Sequence, residues 1–282
     1  MIAITGATGQ LGQLVIAALL KSVPASQIVA VVRNPAKADA LAQQGIVVRQ
    51  GDYGDEAALT RALDGVEKLL LISSSEVGQR AVQHRNVINA AKAAGVGFIA
   101  YTSVLHADTS PLGLAAEHIE TENMLAASGI PYALLRNGWY SENYLASAPS
   151  ALEHGVFLGA AGDGKIASAT REDYAAAAAK VISEEGHAGK VYELAGDTAW
   201  TLSELAAELS KQSGKNVVYQ NLSEADYASA LRGVGLPDAF ASLLADSDTG
   251  ASKGGLFDDS HTLSKLIGRP TTPLADSIKA ML

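Results

Sequence analysis

An α/β fold built on a doubly wound parallel sheet is predicted by three observations. Apolar runs alternate with helical stretches through the first half of the chain. Those runs lack the polar-apolar alternation of a half-exposed strand. A glycine-rich turn also separates the first run from the first helix. Strands that are apolar throughout must be covered on both faces, and intervening helices provide that cover.

Strand segments are expected at Ile2–Thr5, Gln27–Arg33, Ile46–Gln50, Lys68–Ser73, Phe98–Ser103 and Tyr132–Arg136. Helices are expected after the first glycine turn, after Pro35, over Glu56–Leu63 and Gln79–Ala94, and over Ala115–Ser128. Beyond Asn137 the pattern loosens. Gly155–Lys165 reads as a glycine-rich loop, Arg171–Ser183 as an alanine-rich helix and Lys190–Leu194 as a strand. Thr201 precedes a helix with Glu204 three residues on, the spacing of a capping box. Val217–Gln220 is a further strand, with two or three short helices after it. The expected architecture is therefore a Rossmann-type doubly wound parallel sheet with a smaller C-terminal α/β lobe. The division is placed approximately at residues 1–150 for the dinucleotide-binding domain and 151–282 for the smaller lobe, with the chain free to cross between them.

Composition narrows the chemistry. With no cysteine, disulfides, thiolate catalysis and Cys-type metal sites are excluded, and a reducing compartment fits. The net charge of −9 argues against a general nucleic-acid or anionic-membrane binder, because phosphates would be repelled. The N-terminus has no basic segment before its glycines and no apolar run approaches a membrane span, so a cytoplasmic location is expected. No histidine pair shows metal-ligand spacing, and no metal is expected.

Five segments carry candidate chemistry. The first is Gly6-Ala7-Thr8-Gly9-Gln10-Leu11-Gly12 between strand and helix. Gly6 permits the tight turn, Gly9 a close approach of backbone to a pyrophosphate, and Gly12 close packing of helix on strand. The helix N-terminus then offers N–H groups to phosphate. The second is Arg33, at the end of the second strand, roughly 20 residues past the glycines, where an NAD site places an acid on the ribose. Positions 31 to 35 hold no acid. A guanidinium there suits a 2′-phosphate, which favours NADP, although a solvated arginine is the alternative.

The third segment is Gly51-Asp52-Tyr53: Asp52 either accepts from an adenine amino group or caps the next helix, and Tyr53 is a candidate for lining the ligand cleft. Ser73, Ser74 and Ser75, at the end of the fourth strand, either let ribose and nicotinamide pass close to backbone or form an ordinary loop. The fifth is Arg136-Asn137-Gly138-Trp139-Tyr140-Ser141-Glu142-Asn143-Tyr144, leaving the sixth strand at the edge where such sheets bind ligands. Its aromatic and amide groups suit a flat substrate; Trp139 and Tyr144 are equally readable as anchors of the C-terminal lobe.

Carbonyl reduction on this fold commonly uses a Tyr-x-x-x-Lys pair on the helix after the fifth strand. Here that spacing is occupied by His118 and Glu122, which read either as a catalytic pair or as a surface pair on an amphipathic helix.

On the segments Thr5–Gly12, Val32–Pro35, Gly51–Tyr53, Leu135–Tyr144 and Thr201–Leu209, the chain resembles the atypical short-chain dehydrogenases/reductases of the NmrA-like group. Within it the resemblance is to the bacterial type 2 NAD(P)H:quinone oxidoreductases and the related triphenylmethane reductases. It implies NADPH as cofactor and no Tyr-x-x-x-Lys pair. It further implies that Gly6–Leu11 hold the pyrophosphate and Arg33 the 2′-phosphate, with Ser73–Ser75 and Asn137–Glu142 lining the rest.

A quinone or similar flat electron acceptor takes hydride without strong acid help, so direct hydride transfer to a quinone is the expected reaction. Tyr53, Tyr140 and Asn143 are the candidates for placing the acceptor, with Asn143 as a donor to a quinone oxygen. A homodimer is left open. The competing reading is a non-catalytic NADP sensor of the NmrA-like type.

Overall fold

The segment Ile28–Val32 is buried at every position, so it needs paired neighbours on both edges and helices above and below. The computed structural model, which describes residues 1–282, provides both. In chain order the first half runs β1 (Ile2–Ile4), α1 (Gln10–Leu19), β2 (Ile28–Val32), α2 (Asp39–Gln43), β3 (Val47–Gln50) and α3 (Glu56–Ala62). It continues with β4 (Lys68–Leu71), α4 (Arg80–Ala93), β5 (Phe98–Val104), α5 (Ala115–Ser128) and β6 (Tyr132–Asn137).

Next come α6 (Ser141–Leu145), α7 (Ala148–His154), β7 (Val156–Gly159), α8 (Arg171–Ser183) and β8 (Val191–Leu194). The chain ends with α9 (Leu202–Ser213), β9 (Val218–Asn221), α10 (Glu224–Gly233), α11 (Asp238–Ser252), α12 (Thr262–Ile267) and α13 (Leu274–Met281).

A seven-stranded sheet has the order β3-β2-β1-β4-β5-β6-β8, and the pairings from β3 through β6 are parallel. The order reverses between β1 and β4, and in open α/β sheets ligands bind outside the carboxyl ends of the strands at such a switch point. Sheet residues such as Ala3, Val31, Leu69, Leu71, Ile99 and Tyr101 pack with Leu59, Leu63, Val87 and Leu125 of the helices in one buried cluster.

Two compact units interleave along the chain. The first comprises residues 1–104, 116–137 and 171–192, and the second residues 105–115, 138–170 and 193–282. The sequence places only an approximate division near residue 150 and allows the chain to cross between lobes; the chain passes between the units repeatedly. Helix α8 lies beyond that point yet belongs to the first unit. The helix packs on α1, and its buried residues include the small side chains Ala175 and Ala177–Ala179. The second unit has its own parallel pair, β7 with β9, and its own core of Tyr227, Leu231, Ala241 and Ala245.

Several local expectations need correction. Gly155–Lys165 is not all loop, because Val156–Gly159 pairs with β9. The segment after β6 folds into two short helices, and four helices rather than two or three follow β9. Glycines and short apolar runs obscured their periodicity. The capping box forms: the Thr201 hydroxyl accepts from the Glu204 amide at 3.2 Å, and the Glu204 carboxylate accepts from the Thr201 amide at 2.7 Å.

Candidate active site

The glycine turn follows β1 directly. Gly6 has φ of +60°, a conformation that costs a side-chain-bearing residue energy. A Cβ on Gly12 would drive into the Gly6 carbonyl oxygen, so only glycine lets α1 start this close to the strand. The Gly9 amide donates to the Gly6 carbonyl at 2.9 Å, and no side chain caps α1. Gly6, Gly9 and Gln10 are exposed, Thr8 is half-buried, and Ala7 and Leu11 are packed inward. An uncapped helix start lined by glycine backbone, with no acid in its first turn, fits a phosphate-bearing cofactor.

Arg33 stands one residue past β2 and is exposed. Its Nη1 lies 3.1 Å from Glu76 Oε1, a pairing between residues far apart in sequence. Asp52 is exposed and does not cap the next helix. Its Oδ1 accepts from the Gly54 amide at 2.7 Å in a tight turn, and Asp55 caps α3 by accepting from Ala58 N. The sequence reading missed this because two acids stand three residues apart and either has cap chemistry. The Tyr53 hydroxyl points into the sheet edge, 2.6 Å from the Ile72 carbonyl and 2.7 Å from Thr5 Oγ1. Burial raises its pKa above the ordinary phenol value. Its contribution to any acceptor site therefore falls to its half-buried ring.

Ser73–Ser75 is an ordered segment. The Ser73 amide donates to Thr102 Oγ1 at 2.8 Å, and the Ser74 amide to His84 Nε2 at 2.9 Å. The Ser74 carbonyl accepts from Arg80 Nε at 2.5 Å, and farther on the Gly78 amide donates to Glu117 Oε1 at 2.8 Å. Side chains of β5, α4 and α5 thus satisfy several of the loop's backbone groups, while the Ser75 and Glu76 carbonyls accept from the Val77 and Gln79 amides. Behind it lie buried His84 and His118. Burial and the Arg80 guanidinium push His84 down to about 3 and His118 well below its usual range. Tyr101, 2.7 Å from His118 Nδ1, is shifted up by burial.

His118 and Glu122 are neither a surface pair nor partners. Both are buried, because their face of α5 packs on the sheet. His118 meets Tyr101 and Arg80, whereas Glu122 binds Arg136 through two contacts, at 3.0 and 2.7 Å, and accepts from Ser103 Oγ at 2.6 Å. Sequence reasoning also passed over Arg80 and His84. Their spacing of four on α4 was the available signal, since it puts two polar groups on one helical face.

At the end of β6, Asn137 is buried and its Oδ1 accepts no hydrogen bond. An orphaned amide oxygen at the carboxyl end of a sheet strand fits a ligand amide donor. In the second unit the Gly138 amide donates to the Leu194 carbonyl at 2.7 Å, and the Trp139 carbonyl accepts from the Ala169 amide. Ser141 is fixed to the Ala169 carbonyl through its amide and to Ser168 through its hydroxyl at 2.7 Å.

Tyr144 is an anchor of that unit. It is buried, meets Trp200 edge to face at 5.2 Å and reaches Asp248 at 3.2 Å. On the same short helix, Glu142 and Asn143 are half-buried, as are Trp139 and Tyr140 before it.

The chain is 83% identical to quinone oxidoreductase 2 of Escherichia coli K12 over 278 residues, covering 99% of this chain and 97% of that protein. It is 30% identical to an NAD(P)H azoreductase of Xenophilus azovorans over 284 residues, covering 99% and 97%. The structure matches an E. coli NADPH-dependent quinone oxidoreductase complexed with NADPH, with a TM-score of 0.98, 82% identity and coverage of 100% and 99%. It also matches a Citrobacter triphenylmethane reductase complexed with NADP(H), with a TM-score of 0.97, 45% identity and full coverage of both chains. The sequence pattern of the NmrA-like family spans residues 1–272, and with these full-length likenesses the chain belongs to that family.

Proposed function

We propose that the chain is an NADPH-dependent oxidoreductase that passes a hydride directly to a quinone, giving the hydroquinone. The observation that carries this reading is the 83% identity, end to end, with the E. coli quinone oxidoreductase. Bound NADPH supplies the hydride. The glycine-turn backbone of Gly6–Leu11 holds its pyrophosphate, and Arg33 pairs with its 2′-phosphate. Asp52 stands by the adenine, Ser73–Ser75 form the wall at the end of β4, and Asn137 Oδ1 accepts from the carboxamide. Gly138–Glu142 line the remainder of the cofactor site. Tyr140 and Asn143 place the acceptor ring, with the Asn143 amide donating to a quinone oxygen and the Tyr53 ring completing the surface. The cytoplasm is the expected compartment, in keeping with the cysteine-free composition.

The protonation states suit this chemistry. The groups behind the β4 loop titrate far from neutrality: His84 and His118 stay unprotonated, while Tyr53 and Tyr101 keep their protons. None is poised to give a proton to a developing alkoxide at neutral pH. A quinone does not require it, because its reduced oxygen is a stabilised phenolate that water protonates. An NADP sensor needs no acceptor-facing residues and is not favoured by the full-length kinship with a reductase.

The test is NADPH oxidation by the purified chain on addition of benzoquinone and a panel of substituted quinones, followed by nicotinamide absorbance. Acceptor-dependent oxidation with hydroquinone as product is expected. Tight NADPH binding without oxidation by any quinone would defeat the reading.

A further inference from the structure

Arg33 leaves the carboxyl end of β2 and Glu76 follows β4, and both strands pair with β1, one on each side. The two side chains therefore meet from strands two positions apart, across the end of the strand that feeds the glycine turn. Arg33 Nη1 lies 3.1 Å from Glu76 Oε1, while Glu76 Oε2 accepts from Gln83 Nε2 at 2.8 Å. The Glu76 amide donates to Ser74 Oγ at 3.1 Å, so the carboxylate is held at both its head and its backbone. The Arg33 side chain is 70% exposed, which leaves guanidinium N–H groups facing solvent beside the carboxylate. The acid missing from positions 31 to 35 is thus present in space, delivered from another loop.

We infer that Glu76 sets the balance between NADPH and NADH by acting against Arg33. This rests on the reading that Arg33 receives the 2′-phosphate. A phosphate seated on that guanidinium brings up to two negative charges close to a fixed carboxylate, and like charges repel. A ribose 2′-hydroxyl at the same place carries no charge and can donate to Glu76, as it does to the acid of an NAD site. Arg33 supplies attraction for NADPH, and Glu76 limits it while giving NADH a partner. Removing the charge should widen the preference for NADPH.

The experiment is fluorescence titration of the full chain with NADPH and with NADH, comparing wild type, Glu76→Gln and Arg33→Ser at low and at physiological salt. Gln has the shape of Glu and can still bond Gln83, so the loop is retained; unchanged thermal unfolding checks this. The ratio of NADPH to NADH affinity should rise about three- to tenfold in Glu76→Gln at low salt and by less as salt screens the charges. A ratio that falls, or that stays constant because both affinities are unchanged or shift equally, overturns the inference. Arg33→Ser separates the two claims. Selective loss of NADPH there, with no change in ratio for Glu76→Gln, leaves the functional reading standing and removes only Glu76. Equal loss of both cofactors in Arg33→Ser removes the 2′-phosphate contact and this inference with it.

Discussion

The imidazole of His84 accepts the Ser74 amide hydrogen through Nε2 at 2.9 Å, and its Nδ1 lies 2.9 Å from Thr121 Oγ1. The Thr121 hydroxyl donates to the Glu117 carbonyl at 3.0 Å, so the Nδ1 side must be the protonated one. One tautomer of a neutral histidine therefore fixes the loop at the end of β4, and a second proton would break the contact.

That arrangement predicts an acid-labile fold. Burial and Arg80 lower the His84 pKa from 6.5 to about 3, so the unfolded chain takes up a proton that the folded chain refuses. The contribution is complete above about 6.5 and is lost as pH falls towards 3, by about 1.4 kcal/mol per pH unit at most. His84→Gln keeps an acceptor for Ser74 N and should flatten this acid limb. His84→Leu leaves the amide unpaired and should cost about 1–3 kcal/mol near neutrality, with weaker NADPH binding. Urea unfolding at pH 7 and pH 5 checks both, and an unchanged acid limb in His84→Gln would refute the assignment.

Arg136 and Glu122 form a two-point ion pair inside the first unit, one residue before the orphaned amide oxygen of Asn137. Arg136→Met strands a buried carboxylate and should destabilise by about 3–5 kcal/mol. The double replacement Glu122→Leu with Arg136→Met should recover much of that loss, since neither charge is then buried. Denaturant titration of the single and double variants measures the difference. A double variant as unstable as the single one would mean that the pair itself, rather than its desolvation, holds the strand end.

Asp248 shifts in the opposite direction. Burial raises its pKa from 3.8 to about 6, against the pull of the Ala160 amide and the Tyr144 hydroxyl. A carboxyl held more readily as the neutral acid favours the fold at low pH, and that contribution is lost as pH rises through about 6. Asp248→Asn keeps hydrogen-bonding atoms towards both partners and removes the charge. Its stability relative to wild type should grow between about 3.8 and 6 and reach about 1–3 kcal/mol at neutral pH. Melting temperature against pH for both proteins reads this out. A variant that is less stable at pH 8 would show that the ionised carboxylate is needed.

Much of the geometry at the proposed nucleotide end was legible because it is local. Gly6, Gly9 and Gly12 act through the backbone of one turn, and Arg33 is placed by the strand it ends. The Thr201 cap is likewise a matter of four consecutive residues. Asp52 was misread in one of its roles because Asp55, three residues on, has the same chemistry. His118 and Glu122 were misread because helical spacing says which residues share a face and not what that face meets.

The α/β alternation and the glycine turn were determined by the sequence alone, as was a cation just past the second strand, since neighbours along the chain decide each of them. The partners were decided only by tertiary structure: Glu76 on Arg33, His84 on Ser74, Arg136 on Glu122, and Asp248 on Tyr144. Parallel strands bring Arg33 and Glu76 together across 43 positions, and helices α6 and α11 bring Tyr144 to Asp248 across 104. Burial then sets their protonation, and neither separation nor burial is written in local residue order.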